Sequence, residues 1–138
     1  MKILVPIDGS ETSLRAVRYI AKTFPGAAPE VHLINVQPPL PSAVSDFVGA
    51  AERSSYHREE GERSLAGARR ILAEAGIAHH EHLAVGGVAE TIVEHAAGLG
   101  CDQIVIGSRG LSPLPNLLLG STTTRVLHLA EVPVTVVK

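Results

Sequence analysis

A single cysteine, Cys101, in 138 residues excludes any internal disulfide and fits a reducing, intracellular compartment. Lysine is scarce as well. Lys2, Lys22 and Lys138 are the only three, and none stands in a glycine-rich loop. The GxxxxGK[ST] phosphate loop and the fast phosphoryl transfer it supports are therefore missing. An excess of positive charge is also lacking: 12 Lys and Arg against 14 Asp and Glu leave a net charge of -2, without the basic footprint that a nucleic-acid backbone requires. No apolar run approaches the ~20 residues that span a bilayer. The opening MKILVPID enters an apolar strand directly, without the apolar stretch and small-residue cleavage site of a signal peptide. There is no internal repeat and no low-complexity tract. The expectation is a soluble cytoplasmic protein with neither nucleic acid nor membrane as partner.

What is present suits one domain over residues 1–138, with 45% hydrophobic and 19% charged residues, enough for a continuous core. KILVPI, VHLINV, AHHEHLAV, DQIVIG and VPVTVV are short apolar or alternating runs rich in β-branched residues, which predicts five strands. Between them the period becomes helical. Leu14, Val17, Ile20, Ala21 and Phe24 share one face, with Asp8 or Ser10 as the cap. A long charged helix from about Val48 to Ala75 carries the stripe Leu65, Ala68, Leu72 and Ala75, a Glu59–Arg63 pair, and Gly76 as its stop. Ala89, Ile92, Val93 and Ala96 form a third face, and Thr123, Val126, Leu127 and Ala130 a fourth. Strict alternation of strand and helix implies a parallel sheet covered by helices on both faces, because each parallel connection needs a crossover. In such sheets ligands settle beyond the carboxyl ends of the strands. The proline-rich PPLPSAVSDF, residues 38–47, is either a flap over such a site or a surface loop.

The stretch VIGSRGLSPLPNLLLGST, residues 105–122, carries the sharpest signal. Gly107 and Gly110 follow a strand, and Gly120 with Ser121 opens the next helix. Helix starts offer unpaired N–H groups and a partial positive charge, and glycines let a backbone approach phosphate oxygens. Singly, a glycine after a strand is turn chemistry and a glycine before a helix is a cap. Their joint placement favours a phosphate frame, with Ser108 inside the turn and Arg109 and Arg125 close in sequence to add charge. AHHEHL puts His80 and His82 on one strand face and His79 on the other. A metal site is one reading, but no cysteine or carboxylate motif completes it, and solvated histidines on an edge strand are preferred. Cys101 reads as a small buried residue rather than a nucleophile.

GSRGLSPLPNLLLGS matches the G-x-x-G, nine residues, G-[S/T] pattern of the nucleotide-binding branch of the universal stress protein family. The resemblance covers essentially the whole chain, from ILVPIDGSETSLRAV through VHLINV to RVLHLAEVPVTVV. It implies an α/β, Rossmann-like three-layer sandwich whose five parallel strands run in the order 3-2-1-4-5, an ATP site across the first and fourth strands, and a homodimer. By the same resemblance Pro6, Ile7, Asp8 and Val36 surround the adenosine, while Gly107, Gly110, Gly120, Ser121 and Thr122 hold the phosphates. Asp8 is suited to ribose hydroxyls or to Mg²⁺ through water, and equally to capping the first helix. The spacer departs from the family pattern: Pro113 replaces a small residue, and Pro115 and Asn116 stand where basic ones are common. The function implied is an ATP-binding regulatory stress-response module with an unidentified protein partner and at most slow hydrolysis. A nucleotide-processing enzyme on the same scaffold, and a structural dimer with a vestigial site, are the alternatives. The last strand, apolar and β-branched with Pro133 and Lys138 its only guards, is the expected dimer edge.

Overall fold

The innermost strand is the most apolar. β1, Lys2–Pro6, hydrogen-bonds to β2, Glu30–Gln37, on one side and to β4, Gln103–Gly107, on the other, so Ile3, Leu4 and Val5 are fully buried. β3, His79–Val85, and β5, Val134–Val137, complete an all-parallel sheet in the order β3-β2-β1-β4-β5. This computed structural model describes residues 1–24, 29–110 and 119–138.

The helices are α1, Glu11–Thr23; α2, Ser42–Ser45; α3, Ala50–Glu74; α4, Val88–Leu99; and α5, Ser121–Leu129. Two cores lie on opposite faces of the sheet. Ile3, Val5, Val31 and Leu33 pack with Val17 and Ile20 of α1 and Leu65, Ala68 and Leu72 of α3. Leu4, Ile34, Ile104 and Ile106 pack with Ala89, Ile92 and Ala96 of α4 and Val126 of α5. The strand and helix pattern is thus as expected, with α2 as an added turn of helix inside the proline-rich connection. Among the described residues no helix is long and apolar enough to cross a membrane.

Local chemistry sets the helix ends. Ser10 caps α1, its hydroxyl accepting from the Ser13 N–H at 3.1 Å. α3 stops where Gly76 takes φ +70°, and the Ile77 N–H turns back to the Leu72 carbonyl at 2.9 Å. Three details of the expected helices differ, and the first is Ala75, which is exposed where the α3 stripe ends at Leu72. Arg63 pairs with Glu60, one residue nearer than Glu59. Leu127 faces away from the sheet and is exposed, while Thr123 and Val126 take the buried face of α5.

Candidate functional site

At the carboxyl ends of β1 and β4 the backbone opens into a cleft. Its inner recess, about 80 Å³, is lined by Pro6 at the end of β1 with Ile7 and Asp8 after it, Ile34 and Val36 of β2, Gly107 at the end of β4 with Arg109 and Gly110 after it, and Thr122 and Thr123 of α5. An adjoining hollow of about 420 Å³ shares Asp8, Val36, Val88 and Thr122 with it and runs under Pro38, Pro39, Leu40 and Pro41. The two fall together in the ~300–1,000 Å³ range of small-molecule sites. The proline-rich connection therefore borders the cleft, as the flap reading requires.

The glycine turns meet. The Gly120 N–H donates to the Ser108 carbonyl at 2.8 Å, joining the start of α5 to the turn after β4 across the spacer. The first bond within α5 runs from the Thr124 N–H to the Gly120 carbonyl, so the N–H groups of Ser121, Thr122 and Thr123 have no partner inside the helix. Gly120 is the cap and has no side chain to satisfy them. The result is a cluster of backbone donors at a positive helix end, a setting that favours an anion.

Each glycine has its own steric reason. A Cβ on Gly110 would lie 2.6 Å from Oδ2 of Asp8, and one on Gly120 would lie 3.3 Å from the Arg109 Cα. At Gly107 the crowding is of another kind, with a Cβ 2.7 Å from the Thr12 carbonyl oxygen of α1. Gly107 therefore serves the packing of α1 against β4. Its own carbonyl accepts from the Thr123 hydroxyl at 2.8 Å, fixing α5 to the strand end.

Asp8 divides its carboxylate. Oδ1 accepts from the Ser10 N–H at 2.9 Å, while Oδ2 faces Gly110. Capping of α1 falls to Ser10, and Asp8 holds the loop before it. Ile7 is pinned by its N–H to the Ile34 carbonyl at 2.8 Å, and its carbonyl accepts from the buried Asn35 amide at 2.8 Å. Asn35 escapes the sequence reading because inside VHLINV it looks like a polar interruption of a core strand.

Pro6, Ile7, Asp8, Val36, Gly107, Arg109, Gly110 and Thr122 thus line the recess. Ser108 is buried behind it, its N–H donating to the Val137 carbonyl at 2.8 Å. Ser121 borders a separate hollow with Arg125 and His128 on the outer side of α5. The Arg125 guanidinium pairs with Glu90 on α4, and Arg125 does not line the inner recess. The backbone N–H of Glu90 donating to its own carboxylate, and then that contact with Arg125, lower the Glu90 carboxyl below its ordinary range. The spacer residues Pro113, Pro115 and Asn116 lie outside the described residues.

Away from the cleft, Cys101 is 5% exposed, a small buried residue as expected, and burial raises its thiol above the ordinary value. The edge histidines divide. His80 is exposed as expected, but His82 is half-buried, with its Nε2 2.8 Å from Nδ1 of the buried His32. Burial, then His32, His95 and His80, lower the His82 pKa. A solvated edge is the wrong description of His82, since β2 supplies a partner that a local reading of β3 does not reveal.

This is a doubly wound α/β protein with a candidate ligand site at the carboxyl edge of its sheet, between a glycine turn and a helix start. A model of the universal stress protein family matches residues 1–138, and the chain belongs to that family. It is 34% identical over 146 residues to a universal stress protein of Methanocaldococcus jannaschii, covering 99% of this chain and 81% of the relative. A second protein of that organism, MJ0577, has a solved structure that superposes with a TM-score of 0.85 at 33% identity, covering 99% of this chain and 94% of the other. A universal stress protein solved in complex with cAMP superposes with a TM-score of 0.74 at 26% identity, covering 100% and 97%.

Proposed function

We propose that this protein is an ATP-binding regulatory module, active as a homodimer, whose nucleotide state alters its shape or its choice of protein partner. The observation that carries the reading is the junction of the two glycine turns through Gly120 and Ser108, which gathers backbone donors where α5 begins. The cAMP complex of a relative with this fold supports an adenine nucleotide as the ligand class. The base fits the apolar recess of Val36, Val88 and Ile92, the ribose fits Asp8, and the phosphates fit the turn from Gly107 to Gly110 and the start of α5. A Cβ at Gly110 would crowd the Asp8 carboxylate and one at Gly120 would wedge between α5 and the turn after β4, so both glycines keep the donors of the two segments close together. Among the described residues Asp8 is the sole carboxylate lining the inner recess. One carboxylate with phosphate oxygens is the donor set that Mg²⁺ accepts, and the ion would neutralise phosphate charge there.

Little in the recess suits catalysis. It holds no lysine and no histidine among the described residues, which leaves the Asp8 carboxylate as the one candidate base. Phosphate release from Mg-ATP is therefore expected far below the typical enzyme median of about 10 s⁻¹. Turnover near that value, lost in Asp8→Ala, would favour a nucleotide-processing enzyme.

Binding is tested by calorimetric titration of Mg-ATP into the wild type and Gly120→Val. Gly120 has φ -71°, which valine accepts, so the damage is confined to the contact between the turns. A loss of tenfold or more, about 1.4 kcal/mol, is expected. Equal affinities would remove the glycine frame from the site, and a wild type that binds no nucleotide would make the site vestigial.

A further inference from the structure

The amino-terminal ends of β2 and β3 carry a second cluster, at the opposite end of the strands from the nucleotide cleft. The parallel register sets His32 beside His80 and Ile34 beside His82, so the three histidines share the α4 face of the sheet. Glu30, two residues before His32, lies on that face too. Its Oε1 is 2.9 Å from Nε2 of His32, while Nδ1 of His32 is 2.8 Å from Nε2 of His82. The His32 and His80 rings are nearly parallel, 20° apart, with centroids at 4.7 Å. His32 and His82, 19° apart with centroids at 5.1 Å, are close to coplanar, as an in-plane N···N bond demands. His95 of α4 closes the cluster from above, its ring centroid 6.2 Å from that of His82 and its Nδ1–H donating to the Thr91 carbonyl at 2.9 Å.

We propose that Glu30, His32 and His80 form a binding site for a divalent first-row transition ion, Zn²⁺ foremost, that clips edge strand β3 to β2. One ligand atom from each of the three lies within 4.8 Å of the others. A tetrahedral zinc centre sets its ligands about 3.3 Å apart. His32 and Glu30 are already close to that separation. His80 is exposed and free to turn its ring inwards. Two imidazoles and one carboxylate suit zinc and its neighbours in the series rather than Mg²⁺ or Ca²⁺, which take oxygen ligands. Three protein ligands leave a coordination position for water. The nearest competing charge is the Lys2 ammonium, 3.8 Å from Oε1 of Glu30 and anchored at 2.8 Å on the Leu99 carbonyl. The carboxylate has a second oxygen to offer it.

His82 is the supporting group. A metal-bound imidazole donates its other ring N–H to a fixed acceptor, and Nε2 of His82 stands where Nδ1–H of His32 would donate. In the metal-free protein Nε2 of His32 faces a carboxylate, which only accepts, so it carries the proton. Nδ1 of His32 is then left to accept from Nε2–H of His82. Metal binding at Nε2 reverses both: His32 becomes the Nδ1–H tautomer, and so does His82, although His82 is not a ligand.

The test is titration of the metal-stripped full chain with ZnCl₂, followed by calorimetry and by long-range ¹H–¹⁵N spectra of the imidazoles. Saturable one-to-one binding is expected, with His82 passing from the Nε2–H to the Nδ1–H tautomer. Glu30→Gln and His80→Ala, both at exposed positions and checked for folding by circular dichroism, should each weaken binding tenfold or more. His79→Ala, on the opposite strand face, should leave it unchanged, and Mg-ATP affinity should be unaffected in all three. The assignment is overturned by an absence of saturable Zn²⁺ binding, by equal affinity in Glu30→Gln and His80→Ala, or by an unaltered His82 tautomer in the zinc-loaded protein.

Discussion

Two glycines three positions apart do different work. At Gly110 the missing Cβ leaves room beside a carboxylate that can shift, whereas at Gly107 it leaves room beside the backbone of α1, which cannot shift alone. Gly107→Ala should therefore lower stability by about 1–3 kcal/mol, the range of an overpacked interior. Urea unfolding would measure it, and a change below about 0.5 kcal/mol would mean that α1 moves aside freely. Elsewhere, Nε and Nη2 of Arg69 each lie 2.6 Å from an oxygen of Glu81. This paired contact, foremost among its influences, holds the Glu81 carboxyl down to about 2 from an ordinary 4.5. A carboxyl with a lowered pKa in the folded state adds stability above its unfolded value and loses it as pH falls through the folded one. Both side chains are partly exposed, at 33% and 27%, so solvent screening reduces the contribution to about 1 kcal/mol. Arg69→Ala should be less stable than the wild type by about that amount from pH 7 to about 5, with the gap closing towards pH 2. A constant gap across the range would assign the loss to packing of the arginine stem.

Among the elements, the two edges of the sheet are guarded unequally. β3 carries His79, His80, Glu81 and His82 and is covered on one face by α3, which comes close enough that a Cβ on Gly61 would meet Leu83. β5 has only valine and threonine. The carbonyls of Pro133 and Val137 accept from Ile104 and Ser108 of the β4 segment, and by alternation those of Val134 and Val136 point outwards. Val136→Pro therefore removes an N–H from the open edge and spares the ladder to β4. With the exposed Leu127 and Leu129 of α5 nearby in sequence, this is the edge proposed for the homodimer. Light scattering of the wild type should give twice the 14.5 kDa chain mass, and the variant should shift towards monomer. A folded variant that stays fully dimeric would move the interface elsewhere.

Across the described residues the five strands and the longer helices were legible because their signals are local: β-branched runs for the strands, stripes at helical spacing for α1, α3 and α4, whereas the short α2 carries no such stripe. Leu127 shows the limit, since it keeps the spacing of α5 yet lies just beyond the arc that the sheet covers. The cleft was legible through Asp8, Val36 and the glycine spacing, each next to a strand end or a helix start. Asn35 and His32 were not, because their partners depend on how β2 is set against β1 and β3, and register is a tertiary property. The destination of Arg125 was hidden for the same reason, Glu90 being on another helix.

The last residue of β5, Val137, accepts the backbone N–H of Ser108, and the carbonyl of Ser108 in turn accepts that of Gly120. One residue, Ser108, thus joins the edge proposed for the homodimer with the helix start proposed for phosphate. Reciprocity follows from this shared unit if its position differs between the free and paired states. Any factor by which nucleotide tightens self-association must equal the factor by which self-association tightens nucleotide. Dilution would then release ligand, and the protein would report its own concentration as well as that of the nucleotide.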